Sequence, residues 1–599
     1  MLSLKMHSYT ASLLDTCSGC DSSTVWFRLC RHLVSSLLLL SLLFLPAVYA
    51  ADAQKVQPVA KANQAAIASA HPLATRAGME MLEQGGNAFD AAIAVTSVLA
   101  VVEPYSSGIG GGGFYLLHQA DKDRYTMVDA RERAPLRAHR DIYLDDAGEV
   151  IPGLSVDGAM SAGIPGIPAA LVYLAEHYGQ LPLSRTMAPA IELAEQGFVV
   201  DEYYRRMAGF RLTALQDNEA ASEIFLLDDE VPPVGHRVVQ KDLANTLRAI
   251  VDSGFSGFYE NEIAWKMVKD VRRNGGLWTM KDLATYSVVE RSPDVSIYKG
   301  MRLTKAALPS SGGLVLSEIF GILGEFDIED MDRAQRIHHI VEAMRRAYRD
   351  RAEYMGDPDF IEVPVDFLVS DFNIKMLAAD ISPHSATPSS SLRAVTQDEA
   401  ELVNEGNDTT HFSILDAQGN KVSATLSINY PFGSCFVAEG TGVLLNDEMD
   451  DFVTKPGVPN VYGLVGSHAN AIEPGKRMLS SMTPSFIETH DRFAIIGTPG
   501  GSRIITMVLL GILDFYEGKS AEQIVNNGRY HHQYLPDMIS YEPGVFDDEL
   551  AEALGKLGHK LKQMDSTYGN MQMIILDKHS GKAEAASDAR GIGEAMVAD

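Results

Sequence analysis

Positive charge is scarce in this 599-residue chain: 50 Lys and Arg face 79 Asp and Glu, a formal net charge of -29. Sequence-independent affinity for nucleic acid comes from cations clustered along the phosphate backbone, so the composition excludes a nucleic-acid partner. An anionic substrate gains nothing at long range either and must meet a local cation. Cysteine is scarcer still. Cys17, Cys20 and Cys30 crowd the N-terminus and only Cys435 lies beyond; Cys17 and Cys20 have the spacing of a redox or zinc pair, without the second pair that a zinc site needs. With Cys435 alone in the mature chain, no intramolecular disulfide staples it, and its core must hold it together. Metal and hydrolase signatures are missing too. His338-His339 and His531-His532 belong to no H-E-x-x-H pattern, and neighbours on a helix point to different sides, so neither a metal nor another cofactor is predicted. The small-residue run Leu308-Pro309-Ser310-Ser311-Gly312-Gly313 lacks the G-x-S-x-G elbow of an α/β-hydrolase.

What is present is largely apolar: 46% hydrophobic residues against 22% charged describe a globular chain with a substantial core. Arg28, Arg31 and His32 precede an apolar run at 33–46 and then Val48-Tyr49-Ala50, the three regions of a secretory signal. Residues 1–50 are therefore predicted to be removed, and the protein to be periplasmic or secreted. The run is shorter than the ~20 residues that span a bilayer comfortably, which disfavours an anchor. Residues 73–82 have helical spacing and stop at Gln84-Gly85-Gly86-Asn87; residues 91–102 form a second helix, apolar all round and therefore buried. The glycine run at 106–114 satisfies G-x-G-x-x-G, but a helix precedes it and a strand follows, the reverse of a nucleotide-binding turn. Close backbone approach is the expected use of those glycines. A strand at 124–129 ends in Arg131-Glu132-Arg133, which by itself reads as solvated surface. From 164 to about 380 the pattern is mostly helical, with one long helix at 332–355.

Residues 381–408, with Pro383, Pro388, Ser389-Ser390-Ser391 and several acids, read as a flexible connector. It ends abruptly at Thr409. Thr410, Phe412 and Ile414 alternate with His411, Ser413 and Leu415, and Asp416-Ala417-Gln418-Gly419-Asn420 signals a hairpin turn, so a strand begins at or just after Thr409. Cut before Thr409, the chain would carry a hydroxyl and an α-amine on one residue, a nucleophile with its own base. Uncut, Thr409 is a β-former at a strand start. Downstream, strands at 421–428, 443–445, 485–489 and 493–497 and a helix at 504–515 leave Asn429, Glu448-Met449-Asp450-Asp451, Ser480-Ser481 and Gly500-Gly501 in loops at strand ends. Strands and helices grouped in separate runs fit layered α+β packing.

The runs Gly108-Ile109-Gly110-Gly111-Gly112-Gly113-Phe114, Asp408-Thr409-Thr410-His411, 444–452, 455–464, Leu479-Ser480-Ser481-Met482 and Thr498-Pro499-Gly500-Gly501-Ser502-Arg503 are spread over both halves of the chain. Through them, from about 57 to 590, the sequence closely resembles the γ-glutamyltranspeptidases. The resemblance implies an α+β fold, the four-layer αββα sandwich of the N-terminal-nucleophile hydrolases. It further implies a precursor that cuts itself between Asp408 and Thr409, giving a heterodimer of a large subunit, 51–408, and a small catalytic subunit, 409–599. Thr409 becomes the nucleophile, Ser427 its orienting hydroxyl, and Gly500 and Gly501 the oxyanion donors. Arg131, Ser480 and Ser481 are implied to bind the α-carboxylate of a γ-glutamyl group, and Asn429, Glu448 and Asp451 its α-ammonium. Residues 456–466 resemble a lid with Tyr462 as its gate. The substrates so implied are glutathione and other γ-glutamyl compounds, with water or an amino acid or dipeptide as acceptor. Two other readings share parts of this pattern: a cephalosporin or glutaryl acylase on the same scaffold, and a processing-dead binding protein. Phe412 and Met478 depart from the common Tyr and Pro, and Ser427 from a common Thr.

Overall fold

The computed structural model describes residues 64–392 and 409–598; the predicted signal, Asp408 and the distal part of the connector lie outside the described residues. Thirteen strands build its two main sheets: β1 (Ala66–Ser69), β2 (Gly112–Gln119), β3 (Arg124–Asp129), β4 (Val289–Arg291), β5 (Asp294–Tyr298), β6 (Met301–Lys305), β7 (Thr410–Leu415), β8 (Lys421–Ser427), β9 (Ser485–Glu488), β10 (Arg492–Gly497), β11 (Gln572–Asp577), β12 (Ala583–Ser587) and β13 (Glu594–Val597). One sheet runs β13-β1-β7-β8-β2-β3-β4 and the other β12-β11-β10-β9-β6-β5, antiparallel throughout.

An antiparallel sheet commonly leaves one face to water. Here both faces of the first sheet are apolar. Tyr115 and Leu117 of β2 enter a core with α1 (Pro72–Glu83) and α2 (Ala88–Val102), whereas Phe114 and Leu116 enter the core shared with the second sheet. The second sheet is covered in turn by α3 (Gly312–Leu323), α4 (Arg333–Tyr354) and α5 (Ile504–Tyr516). The result is the αββα order of layers. Helix α2 is buried along its whole length, as its uniformly apolar sequence requires, and Asn87 and Asp90 form the capping box that starts it. Serines tie the sheets together: Ser413 Oγ donates to the Gln572 carbonyl at 3.1 Å and Ser423 Oγ to that of Ile496 at 3.2 Å.

The region 164–380 is mostly helical, as its pattern predicts, and also holds β4, β5 and β6. Strand β5 is a sheet edge whose Val295 and Ile297 face solvent, so its alternation gives no inward apolar face to read. The connector begins fastened to α4 rather than free: Thr387 N donates to Glu342 Oε1 at 3.1 Å, Ser389 N to Asp537 Oδ2 at 2.8 Å, and Arg345 to Ser389 Oγ at 2.7 Å. His338 Nδ1 and His559 Nε2 lie 2.8 Å apart. Cys435 is buried, and burial pushes its thiol up to about 12, which leaves it unreactive. No described helix is long and apolar enough to cross a membrane.

Candidate active site

Strand register sets the reacting group. Leu426 pairs with Thr410 across β8 and β7, so Ser427 falls opposite Thr409, and their hydroxyl oxygens stand 3.2 Å apart. The Asn429 N–H donates to Ser427 Oγ at 2.8 Å, occupying one of its lone pairs, and the hydroxyl also reaches the Glu448 carboxylate, so Ser427 links Thr409 to the acid. The glycine run lies directly behind this strand: a Cβ on Gly111 would sit 2.1 Å from the Ser427 carbonyl oxygen, the close approach expected of it. At the end of β10 the chain turns through Gly500 (φ 133°) and Gly501 (φ 54°) before entering α5. A side chain at Gly501 would strike the Tyr462 ring at 2.4 Å, and Tyr462 Oη donates to the Asn429 carbonyl at 2.6 Å. The tyrosine is thus wedged between two loops of the site.

Arg131, Thr409, Ser427, Asn429, Glu448, Asp451, Tyr462, Ser480, Ser481 and Gly501 line one narrow cavity of about 20 Å³. Of the predicted residues only Gly500 is not part of the lining. The segment carrying Tyr462 is fastened over it, with Asn460 Nδ2 donating to Asp451 Oδ1 at 3.1 Å and Val461 N to Asp450 Oδ2 at 3.0 Å. A larger cavity of about 550 Å³ beside α4 and α5 holds none of these residues, and its Arg336, Lys519 and Arg590 are already paired with acids.

Arg131 is buried, not surface decoration, and its fork grips two carboxylates: one terminal nitrogen lies 2.5 Å from Glu448 Oε2 and the other 2.5 Å from Asp451 Oδ2. The two halves expected to bind opposite ends of a zwitterion are therefore paired with each other. Glu132 completes a triangle of acids around the guanidinium at 3.5 Å, with both its oxygens buried and without a hydrogen-bond partner among the described residues. Burial, with the charge of Glu448 second, pushes the Glu132 carboxyl well above the carboxylate range; Arg131, shared with two closer acids, does not offset this. Glu132 is a neutral acid behind the cation. Sequence reading passed over it because a carboxylate between two arginines at a strand end resembles a solvated cluster. The glycine run held the missed signal, since a Cβ on Gly112 would meet the Glu132 carboxyl at 2.4 Å.

Burial likewise pushes Glu448 up to about 7, against the pull of Arg131. Below that pH the carboxyl is neutral and attracts an ammonium weakly. If Glu448 receives a donor's α-ammonium, kcat/KM for that donor carries an acid limb near pH 7 in addition to any limb of the nucleophile's own base, and Glu448→Gln removes only that added part. A glutaryl donor, which has no ammonium, shows only the limb of the base, so the difference between the two donors' pH profiles in the wild type should vanish in Glu448→Gln; an unchanged difference would belong to another group.

Metal-ligating groups converge twice among the described residues, both away from this cavity. Beside His338 and His559, the Glu342 carboxylate is already held by Arg345, Arg346 and the Thr387 N–H, so a cation there would face two guanidiniums. His490, Asp491 and His579 meet on exposed hairpin turns. His531 and His532 point apart, to Thr506 and Asp537.

An αββα sandwich with a hydroxyl residue at the start of a central strand is the architecture of the N-terminal-nucleophile hydrolases. Within that class, the family model described as gamma-glutamyltranspeptidase matches residues 74–598, and the chain belongs to this family. It is 40% identical over 520 residues to the glutathione hydrolase proenzyme of Pseudomonas sp. (strain A14), covering 86% of this chain and 89% of the relative. Its identity to the glutathione hydrolase proenzyme of Escherichia coli (strain K12) is 38% over 555 residues, 92% of this chain and 94% of that one. Among solved structures, a cephalosporin acylase from Bacillus halodurans superposes with a TM-score of 0.78 at 27% identity, covering 90% of this chain and 96% of the acylase.

Proposed function

We propose that the protein is a γ-glutamyltransferase and glutathione hydrolase, made as a precursor that cuts itself between Asp408 and Thr409. The observation that carries the reading is the composition of the cavity beside Thr409: one buried arginine, two carboxylates within 2.5 Å of it, and two serines. A γ-glutamyl group brings an α-carboxylate and an α-ammonium together. Its carboxylate takes Arg131, Ser480 and Ser481 while its ammonium takes Glu448, Asp451 and Asn429, so every buried charge exchanges one opposite partner for another.

Cleavage turns the Thr409 amide into an α-amine, whose usual pKa of about 7.7–8.0 suits a base at neutral pH. The amine takes the proton from Oγ1 as that oxygen bonds to the γ-carbonyl carbon. The oxyanion is received by the N–H groups of Gly500 and Gly501, one such donor typically contributing about 2.7–4 kcal/mol. The proton then passes to the departing amine as the amide C–N bond breaks, leaving a γ-glutamyl ester on Thr409. Water, or the amine of an amino acid or dipeptide, resolves the ester. Tyr462 and its lid exclude bulk water while it lasts. The signal-like N-terminus supports a periplasmic or secreted enzyme, and the two chains remain together as a heterodimer.

The fold likeness to a cephalosporin acylase favours one competing reading, a glutaryl acylase. A glutaryl group has no ammonium, so it would leave Glu448 and Asp451 unmatched. Release of p-nitroaniline from γ-glutamyl and glutaryl anilides, with and without glycylglycine, separates the two. The γ-glutamyl compound is expected to react at least ~10- to 100-fold better in kcat/KM and to be accelerated by glycylglycine. Preference for the glutaryl compound would sink the transferase reading.

A further inference from the structure

The run Leu308-Pro309-Ser310-Ser311-Gly312-Gly313 has no part in the chemistry above, yet it cradles the two serines of the cavity. Ser480 N donates to the Pro309 carbonyl at 2.9 Å, and Ser311 N donates to the Ser480 carbonyl at 2.8 Å. Ser311 Oγ donates to the same Ser480 carbonyl at 2.7 Å. A Cβ on Gly312 would lie 1.9 Å from Thr483 Oγ1, so the Gly312 backbone packs directly against the Thr483 side chain. One residue of the long helix α4 spans this contact. The Nε of Arg351 donates to Ser311 Oγ at 2.9 Å, and its NH2 donates to Ser481 Oγ at 3.2 Å.

We propose that Arg351 is a positioning residue of the carboxylate subsite, aiming the Ser480 and Ser481 hydroxyls and supplying the unpaired positive charge that Arg131 does not.

The hydroxyls carry the first half of the argument. Ser481 Oγ accepts from Arg351 and Ser480 Oγ accepts from Met482 N at 3.1 Å, so each oxygen is held by the protein. Each proton is left to be donated, and both side chains line the cavity. Charge carries the second half. Arg131 is already paired with Glu448 and Asp451, so an incoming carboxylate gains its charge only as those two acids turn to the ammonium. Arg351 is buried, 6% exposed, and its side-chain hydrogen bonds go to two neutral serines, with no carboxylate in ion-pair contact among the described residues. Burial holds its guanidinium below the usual range, and Asp451 and Arg131 are the charged groups whose fields it feels. A buried, uncompensated cation costs stability unless something recovers it. An α-carboxylate on Ser480 and Ser481 does so.

The proposal rests on the zwitterion reading of the cavity, and the test separates the two. Donors are γ-glutamyl-p-nitroanilide and 4-aminobutanoyl-p-nitroanilide, which keeps the ammonium and lacks the α-carboxylate; enzymes are the processed wild type, Arg351→Met, Arg351→Lys and Ser311→Ala. Arg351→Met is expected to raise KM for the γ-glutamyl donor ~10- to 100-fold, with kcat and the KM of the 4-aminobutanoyl donor changing less than ~3-fold. Arg351→Lys, keeping the charge, recovers part of that KM. Equal losses on both donors, or an unchanged KM for the γ-glutamyl donor, overturn the proposal alone. Should Arg351→Met fail to mature, Ser311→Ala decides, with a KM rise of ~3- to 10-fold confined to the donor with the carboxylate; a rise on both donors, or on neither, overturns it. A wild type that takes both donors alike overturns the zwitterion reading and this proposal with it.

Discussion

Thr409→Ala remains a single chain on a denaturing gel and loses at least ~10⁴-fold in cleavage of γ-glutamyl amides. Wild-type protein runs as two chains, and the smaller begins Thr409-Thr410-His411. Both outcomes follow from one hydroxyl serving two reactions. Before the cut, the Thr409 nitrogen is an amide and cannot act as a base, so Oγ1 depends on its 3.2 Å neighbour Ser427 for orientation. After the cut, the same oxygen gains the α-amine. Thr409→Ser keeps the hydroxyl and is expected to mature and turn over, both more slowly, because without the methyl group the side chain visits more rotamers. Ser427→Ala leaves the nucleophile and removes its orienting partner, so it slows maturation without abolishing it. An active wild-type enzyme that stays in one chain would refute the assignment outright.

The proposed nucleophile stands at a boundary of pattern that marks a strand start, while its role comes from the family resemblance. Acidic, breaker-rich sequence gives way to period-two alternation at Thr410, and β7 begins there. The stacking of two sheets is legible only in part. Strands β7 and β8 alternate and β9 and β10 are short apolar runs, but β5 hides at an edge with Val295 and Ile297 outward, and β4 and β6 lie beside it in a stretch dominated by helices. The residues of the cavity come from loops more than 300 positions apart, Arg131 and Asp451 among them, which no local pattern can bring together. The groups that act through others are the ones the sequence hides. Glu132 looks like surface charge until Gly112 is seen against it, and Arg351 is one of several arginines on α4 until its partners prove to be Ser311 and Ser481.

Arg131→Met is expected to have the second largest effect, and pH reveals why. The substitution leaves Glu448, Asp451 and Glu132 together in a buried site without the cation between them. Removing one partner of a buried ion pair typically costs ~3–5 kcal/mol, and here Glu448 and Asp451 share the loss, Glu132 being neutral already. They can reduce it by binding protons. Glu448 already titrates at about 7 with Arg131 present, and without it the folded-state pKa moves further above the unfolded value. A carboxyl raised in this way is tolerated below its unfolded pKa and destabilises progressively as pH climbs towards the folded one. The stability deficit of Arg131→Met relative to wild type should therefore be larger at pH 8 than at pH 5, read as the difference in thermal midpoints of the processed proteins. Activity behaves differently: kcat/KM for the γ-glutamyl donor falls at least ~100- to 1,000-fold at either pH, because the carboxylate loses its fork. Arg131→Lys restores the charge as a single point and recovers stability more fully than activity. A deficit equal at the two pH values would mean that Arg131 does not hold Glu448 ionised, and the exchange of partners proposed for substrate binding would fail with it.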